Sequence, residues 1–176
     1  ELIQSEVLKG VMVSSGLYET KESKTRRDKA LGVLRGIVRD WAGDVGKCPS
    51  DPDSCARIEL YGSCRLGVQC PSSDIDIVVI AKSSIGHAEF FGKLQERLRK
   101  SKDIKNLNAL PNAFAPIMKL KVFDTHVDLS LASLPYATLP KKWNSLDNES
   151  YVQDIDYKSL LALGGVRNAA LLLRLV

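Results

Sequence analysis

Asp74 and Asp76 stand two residues apart at the head of the apolar run Ile75-Asp76-Ile77-Val78-Val79-Ile80. Period-2 alternation puts both carboxylates on one face of a strand, with Cα atoms about 6.5–7 Å apart, and turns Ile75, Ile77 and Val79 the other way. Two carboxylates on one face repel each other and resist burial unless a cation joins them. Hard oxygen ligands suit Mg²⁺ or Mn²⁺, which also coordinate phosphate oxygens. Upstream, Gly62-Ser63 follows a short alternating stretch ending at Tyr61. Glycine lets backbone approach a ligand closely, and N–H groups opening a new helix favour phosphate. A third carboxylate, Asp128, alternates with Val127, Leu129 and Leu131. If its strand lies beside that of Asp74 and Asp76, the three carboxylates converge and could hold two metals about 3.5–4 Å apart, the arrangement of in-line displacement. A phosphate cradle beside such a cluster is a coherent site for nucleotidyl transfer.

Apolar residues at Leu2, Ile3, Val7, Leu8 and Val11 suit a helix from Leu2 to about Val13, broken by Ser14-Ser15-Gly16. A second helix begins after Thr20 as N-cap, with Glu22 in its first turn and a stripe of Ala30, Leu31, Leu34, Ile37, Val38 and Trp41. Lys21, Lys24, Arg26, Arg27 and Lys29 are expected on its solvated face, and 43–54 as a loop. Strands are predicted over 57–61, 75–80, 116–123 and 126–131, the last two joined by a hairpin at Asp124-Thr125. A helix is expected over 87–100 with Phe91, Leu94 and Leu98 on one face. Residues 133–150 read as mostly loop, and 154–176 as two helices split by Gly164-Gly165. The mixture is α/β or α+β, built on a small mixed sheet.

Composition sets the frame. The chain has 176 residues, 44% apolar and 26% charged, which is globular composition for one domain and excludes a disordered tail. No apolar run approaches the roughly 18 residues that span a bilayer, and no signal-peptide pattern opens the chain. A net charge of +4, from 25 basic and 21 acidic residues, is compatible with a nucleic-acid partner without requiring one. Aromatics at 6% show no evident stacking platform for single-stranded RNA. Cys48, Cys55, Cys64 and Cys70 lack zinc-site spacing. They read as reduced thiols of a cytosolic or nuclear protein, with a Cys48–Cys55 loop closure as the lesser alternative. His126 is expected to be an exposed strand histidine, His87 to begin a helix, and Arg65 and Lys119 to be supporting charges. The start at Glu1 and the apolar end Leu171 to Val176, without a C-cap, lead us to expect a fragment whose last helix seeks a partner surface.

Gly62-Ser63, then ten residues, then Asp74-x-Asp76 with a later strand aspartate resembles the nucleotidyltransferase superfamily of DNA polymerase beta type. Tyr61 to Val68 resembles the F-G-S-Y-R-L-G-V of eukaryotic poly(A) polymerases. Ala113 to Leu120 resembles their A-F-V-P-V-I-K-L, and Val127 to Leu134 their I-D-I-L-F-A-R-L. Gly16-Leu17-Tyr18-Glu19 is similar to the family's lead-in segment, and Leu163 to Arg167 to its L-N-G-C-R.

The resemblance implies a nucleotidyltransferase fold over 1–176, a small mixed sheet flanked by helices. The helix within 1–15 and the tail 165–176 would pack on or belong to an absent central helical domain. It implies that Asp74, Asp76 and Asp128 bind two Mg²⁺ or Mn²⁺ ions and catalyse, and that Tyr61, Gly62 and Ser63 join them in holding ATP. The implied reaction adds AMP to RNA 3′ ends in mRNA polyadenylation. Implied partners are ATP, the RNA 3′ end, missing central and RNA-binding domains, and polyadenylation-complex proteins, without a membrane. The implied location is the nucleus, with the cytoplasm as alternative. Tyr61 replaces the family's phenylalanine, Cys64 an aromatic residue and Gly164 an asparagine near the nucleotide site. Pro71-Ser72-Ser73-Asp74-Ile75-Asp76 looks more like the cytoplasmic and nucleolar non-standard polymerases and terminal uridylyltransferases; a non-standard RNA nucleotidyltransferase of that kind, or a catalytically inactive scaffold of the fold, forms the alternative.

Overall fold

A computed structural model describes residues 2–142 and 154–175. Helix α1 (Leu2–Ser14) leads through Gly16, at φ 66°, to helix α2 (Lys21–Gly46). Thr20 caps α2 as its sequence requires. Its Oγ1 accepts the Ser23 N–H at 3.1 Å, and its own N–H donates to Ser23 Oγ at 3.0 Å. Then follow strand β1 (Ala56–Tyr61), the short helix α3 (Gly62–Leu66), β2 (Ile75–Lys82), the helical stretch α4 (residues 87–100), β3 (Ile104–Leu110), β4 (Ile117–Val122), β5 (Thr125–Leu134) and helix α5 (Tyr157–Leu175).

The sheet runs β1-β2-β5-β4-β3, with β2 and β5 parallel and every other pair antiparallel. One face is dry. Ile75, Ile77 and Val79 of β2 and Val127, Leu129 and Leu131 of β5 pack on Leu34, Val38 and Trp41 of α2 and on Phe90, Leu94 and Leu98 of α4. The other face is covered over half its length. There Val78, Ile80, Ala132 and Leu134 meet Leu163 and Val166 of α5. Asp156 accepts the Ser159 N–H at 3.0 Å to start α5, and Ser159 Oγ accepts the Ser133 N–H at 2.9 Å, which ties the helix to β5.

Several expectations are corrected. Helix α2 continues to Gly46, so the expected loop begins four residues later. Strand β3 was not foreseen. Its Ile-Lys-Asn-Leu-Asn-Ala-Leu sequence is poor in strand formers, Asn106 takes φ 53°, and its pairing with β4 slips between Lys105 and Asn108, so the alternation is broken. A wide π-type turn at Phe90–Leu94 puts Phe90, not Phe91, in line with Leu94 and Leu98. Strand β5 runs to Leu134, beyond the expected boundary, while residues 143–150 of the expected loop lie outside the described residues. Gly164-Gly165 does not split the tail: α5 is one helix, because Gly165 provides a packing notch rather than a stop.

The predicted hairpin is present, but its turn comes one residue early: Phe123-Asp124 turn the chain and Val122 lies opposite Thr125, where a turn at Asp124-Thr125 would have set Phe123 opposite His126. Phe123 turns the chain at φ 51° while Lys29 Nζ lies 4.7 Å over its ring. Two expectations are revised: Cys64 and Cys70 are free thiols as expected, but the other two cysteines take the lesser alternative, and one basic residue leaves the solvated face. Cys48 and Cys55 are joined in a disulfide, Cα atoms 6.7 Å apart. The left-handed C-cap at Lys47 folds the chain back, and Gly46 leaves room for both sulfurs. The cysteines therefore lend no support to a reducing compartment. Arg27 is not on a solvated face but buried, with 6% of its surface exposed. Among the described residues, no helix is long and apolar enough to cross a membrane.

Candidate active site

The register of four strands draws one row across the sheet. Tyr61 lies opposite Asp76, Asp76 beside Asp128, and Asp128 opposite Lys119. The parallel pairing of β2 with β5 is what brings the two aspartates together, since neighbouring residues in register point to the same face. This row lies on the face that α5 covers; α5 meets the row at Tyr61 through Gly165 and leaves Asp76 and Asp128 in contact with solvent. Asp76 and Asp128 are half-buried there and Asp74, just before β2, is exposed.

The charges are unbalanced. Burial pushes the Asp76 carboxyl above the ordinary aspartate range, and the charges of Asp128 and Asp74 push it further; Lys119 opposes them. Lys119 Nζ donates to Asp128 Oδ2 at 2.7 Å, and this contact raises the lysine's own pKa. Tyr61's phenol is raised by burial first and by Asp76 second, with Ser130 pulling it back.

Gly62 explains why glycine follows Tyr61. Its φ is 60°, and a Cβ would overlap the Asp76 carboxylate. The chain thus passes directly against the carboxylate before opening into α3. On the other side, the Tyr61 ring occupies the place that a Cβ at Gly165 would take. Tyr61 is a wedge between the site and α5. A recess of about 110 Å³ lies behind it, lined by Pro116, Ile117, Ser130, Ala162 and Gly165 among others. A larger cavity of about 1040 Å³ runs along the outer edge of β1 beside Arg35, Arg39 and Lys141, and none of the three aspartates lines it. Chemistry rather than volume locates the site.

The donor set fits a hard divalent cation. Two carboxylates are aligned and mutually repelling, a third stands at the strand entrance, and the protein's own ammonium neutralises one of them. Among the described residues no three His, Cys, Asp or Glu side chains already converge on one point. Asp76 and Asp128 are brought together; Asp74 is near enough to raise the Asp76 pKa but turns to solvent.

Sequence reading did not foresee the Lys119–Asp128 contact, although the hairpin contains it: with Val122 opposite Thr125, Lys119 falls opposite Asp128. Arg65 is a supporting charge, 3.7 Å from Glu59. His126 is exposed and His87 begins α4, as expected. No local pattern pointed to the contacts of Glu19 and Arg27 with the segment before Asp74. Glu19 pairs with Arg27 and accepts from Gln69 Nε2 at 2.7 Å, and Arg27 Nη2 donates to the Cys70 carbonyl at 3.2 Å.

Residues 1–176 match the family described as the poly(A) polymerase nucleotidyltransferase domain. Over 96% of its length the chain is 33% identical to a poly(A) polymerase of Dictyostelium discoideum, and over all of it 32% identical to nuclear poly(A) polymerase 1 of Arabidopsis thaliana. The chain spans 22% and 25% of those relatives. Among solved structures, Cid1 in complex with the UTP analogue UMPNPP aligns over the whole chain and 43% of its own, with a TM-score of 0.56 at 14% identity. That likeness concerns the fold.

Proposed function

Because the chain belongs to the poly(A) polymerase nucleotidyltransferase domain family, we propose that it is the catalytic domain of a template-independent polymerase adding AMP from ATP to RNA 3′ ends. The observation that supports this most is the in-register pair Asp76–Asp128 beside Gly62. In this reading Asp74, Asp76 and Asp128 hold two Mg²⁺ or Mn²⁺ ions. Bound there, the metal supplies positive charge for the triphosphate and lowers the pKa of the RNA 3′-hydroxyl. Asp128 would help hold the metal that acts on the 3′-hydroxyl, and Lys119, now 2.7 Å from its Oδ2, would have to release it when the site is loaded. Asp74 must be drawn in from solvent. Gly62 and Ser63 present backbone N–H groups to the triphosphate. Tyr61 joins them in holding ATP, from the border of the recess that it lines with Ser130 and Gly165. The 3′-oxygen displaces pyrophosphate at the α-phosphorus, and the residues act by positioning and charge rather than by proton transfer.

The exposed apolar residues Val7, Leu8 and Val11 of α1 and Leu171, Leu172 and Leu175 of α5 belong, in this reading, against a central helical domain of the same protein. That domain and an RNA-binding domain complete the nucleotide and RNA sites. The nucleus is assigned as the location, and polyadenylation-complex proteins as partners.

Primer extension by the full-length protein tests the reading. ATP incorporation should exceed UTP incorporation, and Asp76→Ala should abolish it while the protein stays folded. UTP incorporation tenfold above ATP would replace the reading with a terminal uridylyltransferase. A tenth or more of wild-type activity in Asp76→Ala would remove the metal role, since loss of such a ligand costs several kcal/mol of transition-state stabilisation, roughly.

A further inference from the structure

We propose that Arg27, held in place by Glu19, is a positioning residue for Asp74, a role that rests on the metal-binding reading above. The three carboxylates are not equally well held. Asp76 and Asp128 sit inside the β2–β5 ladder, which sets their backbone. Asp74 precedes the ladder, at the end of the irregular segment 67–74 that joins α3 to β2. Its position depends on what fixes that segment.

Contacts from Glu19, just before α2, and from the first turns of α2 do so at three consecutive residues. Glu19 accepts from Gln69 Nε2 at 2.7 Å, Arg27 Nη2 donates to the Cys70 carbonyl at 3.2 Å, and Arg26 Nη2 donates to the Pro71 carbonyl at 3.4 Å. The Cys70 carbonyl also accepts the Ser73 N–H at 3.1 Å, and the Cys70 N–H donates to Ser73 Oγ at 2.9 Å. Arg27 therefore grips the turn that ends one residue before Asp74. Beyond it, the Cys64 thiol donates to the Asp74 carbonyl at 3.8 Å.

Burial makes the role specific. The side chains of Arg27 and Glu19 keep only 7% and 15% of their surface. A buried ion pair is roughly break-even for stability against apolar residues of the same size, so stability alone is a weak reason for one. A planar guanidinium can serve a carboxylate and a carbonyl at once, which neither a lysine nor an apolar residue can do. Here it links the lead-in to α2 with the segment carrying Asp74.

The test uses the full-length protein with Mn²⁺ as probe. Binding is read by electron paramagnetic resonance without turnover, beside kcat, KM for ATP and Tm. Loss of a group that orients a metal ligand typically costs about 10–100-fold in affinity or activity. Arg27→Ala should raise the half-saturating Mn²⁺ concentration and lower kcat within that range. Arg27→Lys should recover only part of both. The exchange Glu19→Arg with Arg27→Glu restores an ion pair but leaves no donor at position 27 for the Cys70 carbonyl. It should regain Tm while Mn²⁺ binding stays weak.

Normal Mn²⁺ binding and kcat in a folded Arg27→Ala protein, or recovery of both in the exchange, would overturn the proposal. If Arg27→Ala does not fold, Gln69→Ala removes one tether without stranding a charge. It should weaken Mn²⁺ binding severalfold, and unchanged binding would equally overturn the role. Asp76→Ala and Asp128→Ala in the same titration separate the two levels. If both bind Mn²⁺ normally, the metal reading itself has failed, whatever Arg27 does.

Discussion

Along β2, Val78 and Ile80 lie under α5 with no exposed surface, whereas Asp76, two residues earlier on the same face, stays in contact with solvent. The same holds on β5, where Ala132 and Leu134 are covered and Asp128 is not sealed. The two ends of this face share one backbone geometry and one alternation. They differ in whether a helix lies over them. Where α5 covers the sheet, apolar residues gain from leaving water. Where it stops, carboxylates escape the desolvation that would neutralise them. The boundary is the contact of Tyr61 with Gly165.

The largest effect should come from moving a charge across that boundary. Val78→Asp places a carboxylate among Leu163, Val166 and Ile80 with no counter-charge. Burial of an unpaired charge costs at least several kcal/mol, roughly, so circular dichroism should show an unfolded domain. A folded, soluble Val78→Asp protein would mean that α5 does not seal this half. A smaller loss is expected at the boundary itself. Gly165→Ala must push the Tyr61 ring, at a cost of about 1–3 kcal/mol for overpacking. The measured Tm should fall, and Tyr61→Ala in the Gly165→Ala background should restore part of it.

At the open end, removing a charge should help rather than harm. The raised pKa of Asp76 means that the folded state holds this proton more tightly than the unfolded state. Stability therefore declines as pH rises from the ordinary aspartate range through the raised folded value, and stays lower above it. Asp76→Asn lacks that decline. Without divalent metal at pH 7 its Tm should lie slightly above wild type, and the difference should vanish near pH 3. With saturating Mg²⁺ the order should reverse. A lower Tm in the metal-free variant at pH 7 would show that Asp76 is compensated.

The finest contrast lies between two free thiols. Cys70 accepts help from the Ser72 and Ser73 hydroxyls, which lower its pKa to about 7, while burial raises that of Cys64. Alkylation of Cys70 should rise to half its maximum near pH 7. Cys64 should react only at higher pH, and the paired Cys48 and Cys55 not at all. Equal rates at pH 7 would erase the distinction.

Much of this fold can be read from local rules. Thr20 and Ser23 form a cap, the stripe from Ala30 to Trp41 predicts α2, and the alternation around Asp76 and Asp128 identifies two strands and the side each carboxylate takes. Where local rules failed, a distant contact was responsible. Strand β3 exists because β4 offers it an edge, despite its asparagines. Gly164-Gly165 remains helical because Tyr61 needs the notch. Arg27 leaves the solvent because Glu19 and the Cys70 carbonyl, 43 positions further on, receive it.

The chain by itself determined the kinds of groups available and the faces they take, since backbone alternation and capping act over a few residues. It also made a hairpin before Asp128 legible, but a turn at Asp124-Thr125 would have set Lys121 opposite Asp128, and the one-residue-earlier turn of the folded chain sets Lys119 there. Long-range packing sets β2 and β5 parallel with Asp76 beside Asp128, leaves both carboxylates in contact with solvent beyond α5, and hangs Asp74 from a loop that Arg27 contacts. Parallel pairing, helix cover and buried ion pairs join residues with no sequence proximity. Their register follows from the packing of the whole core, which no short window of sequence contains.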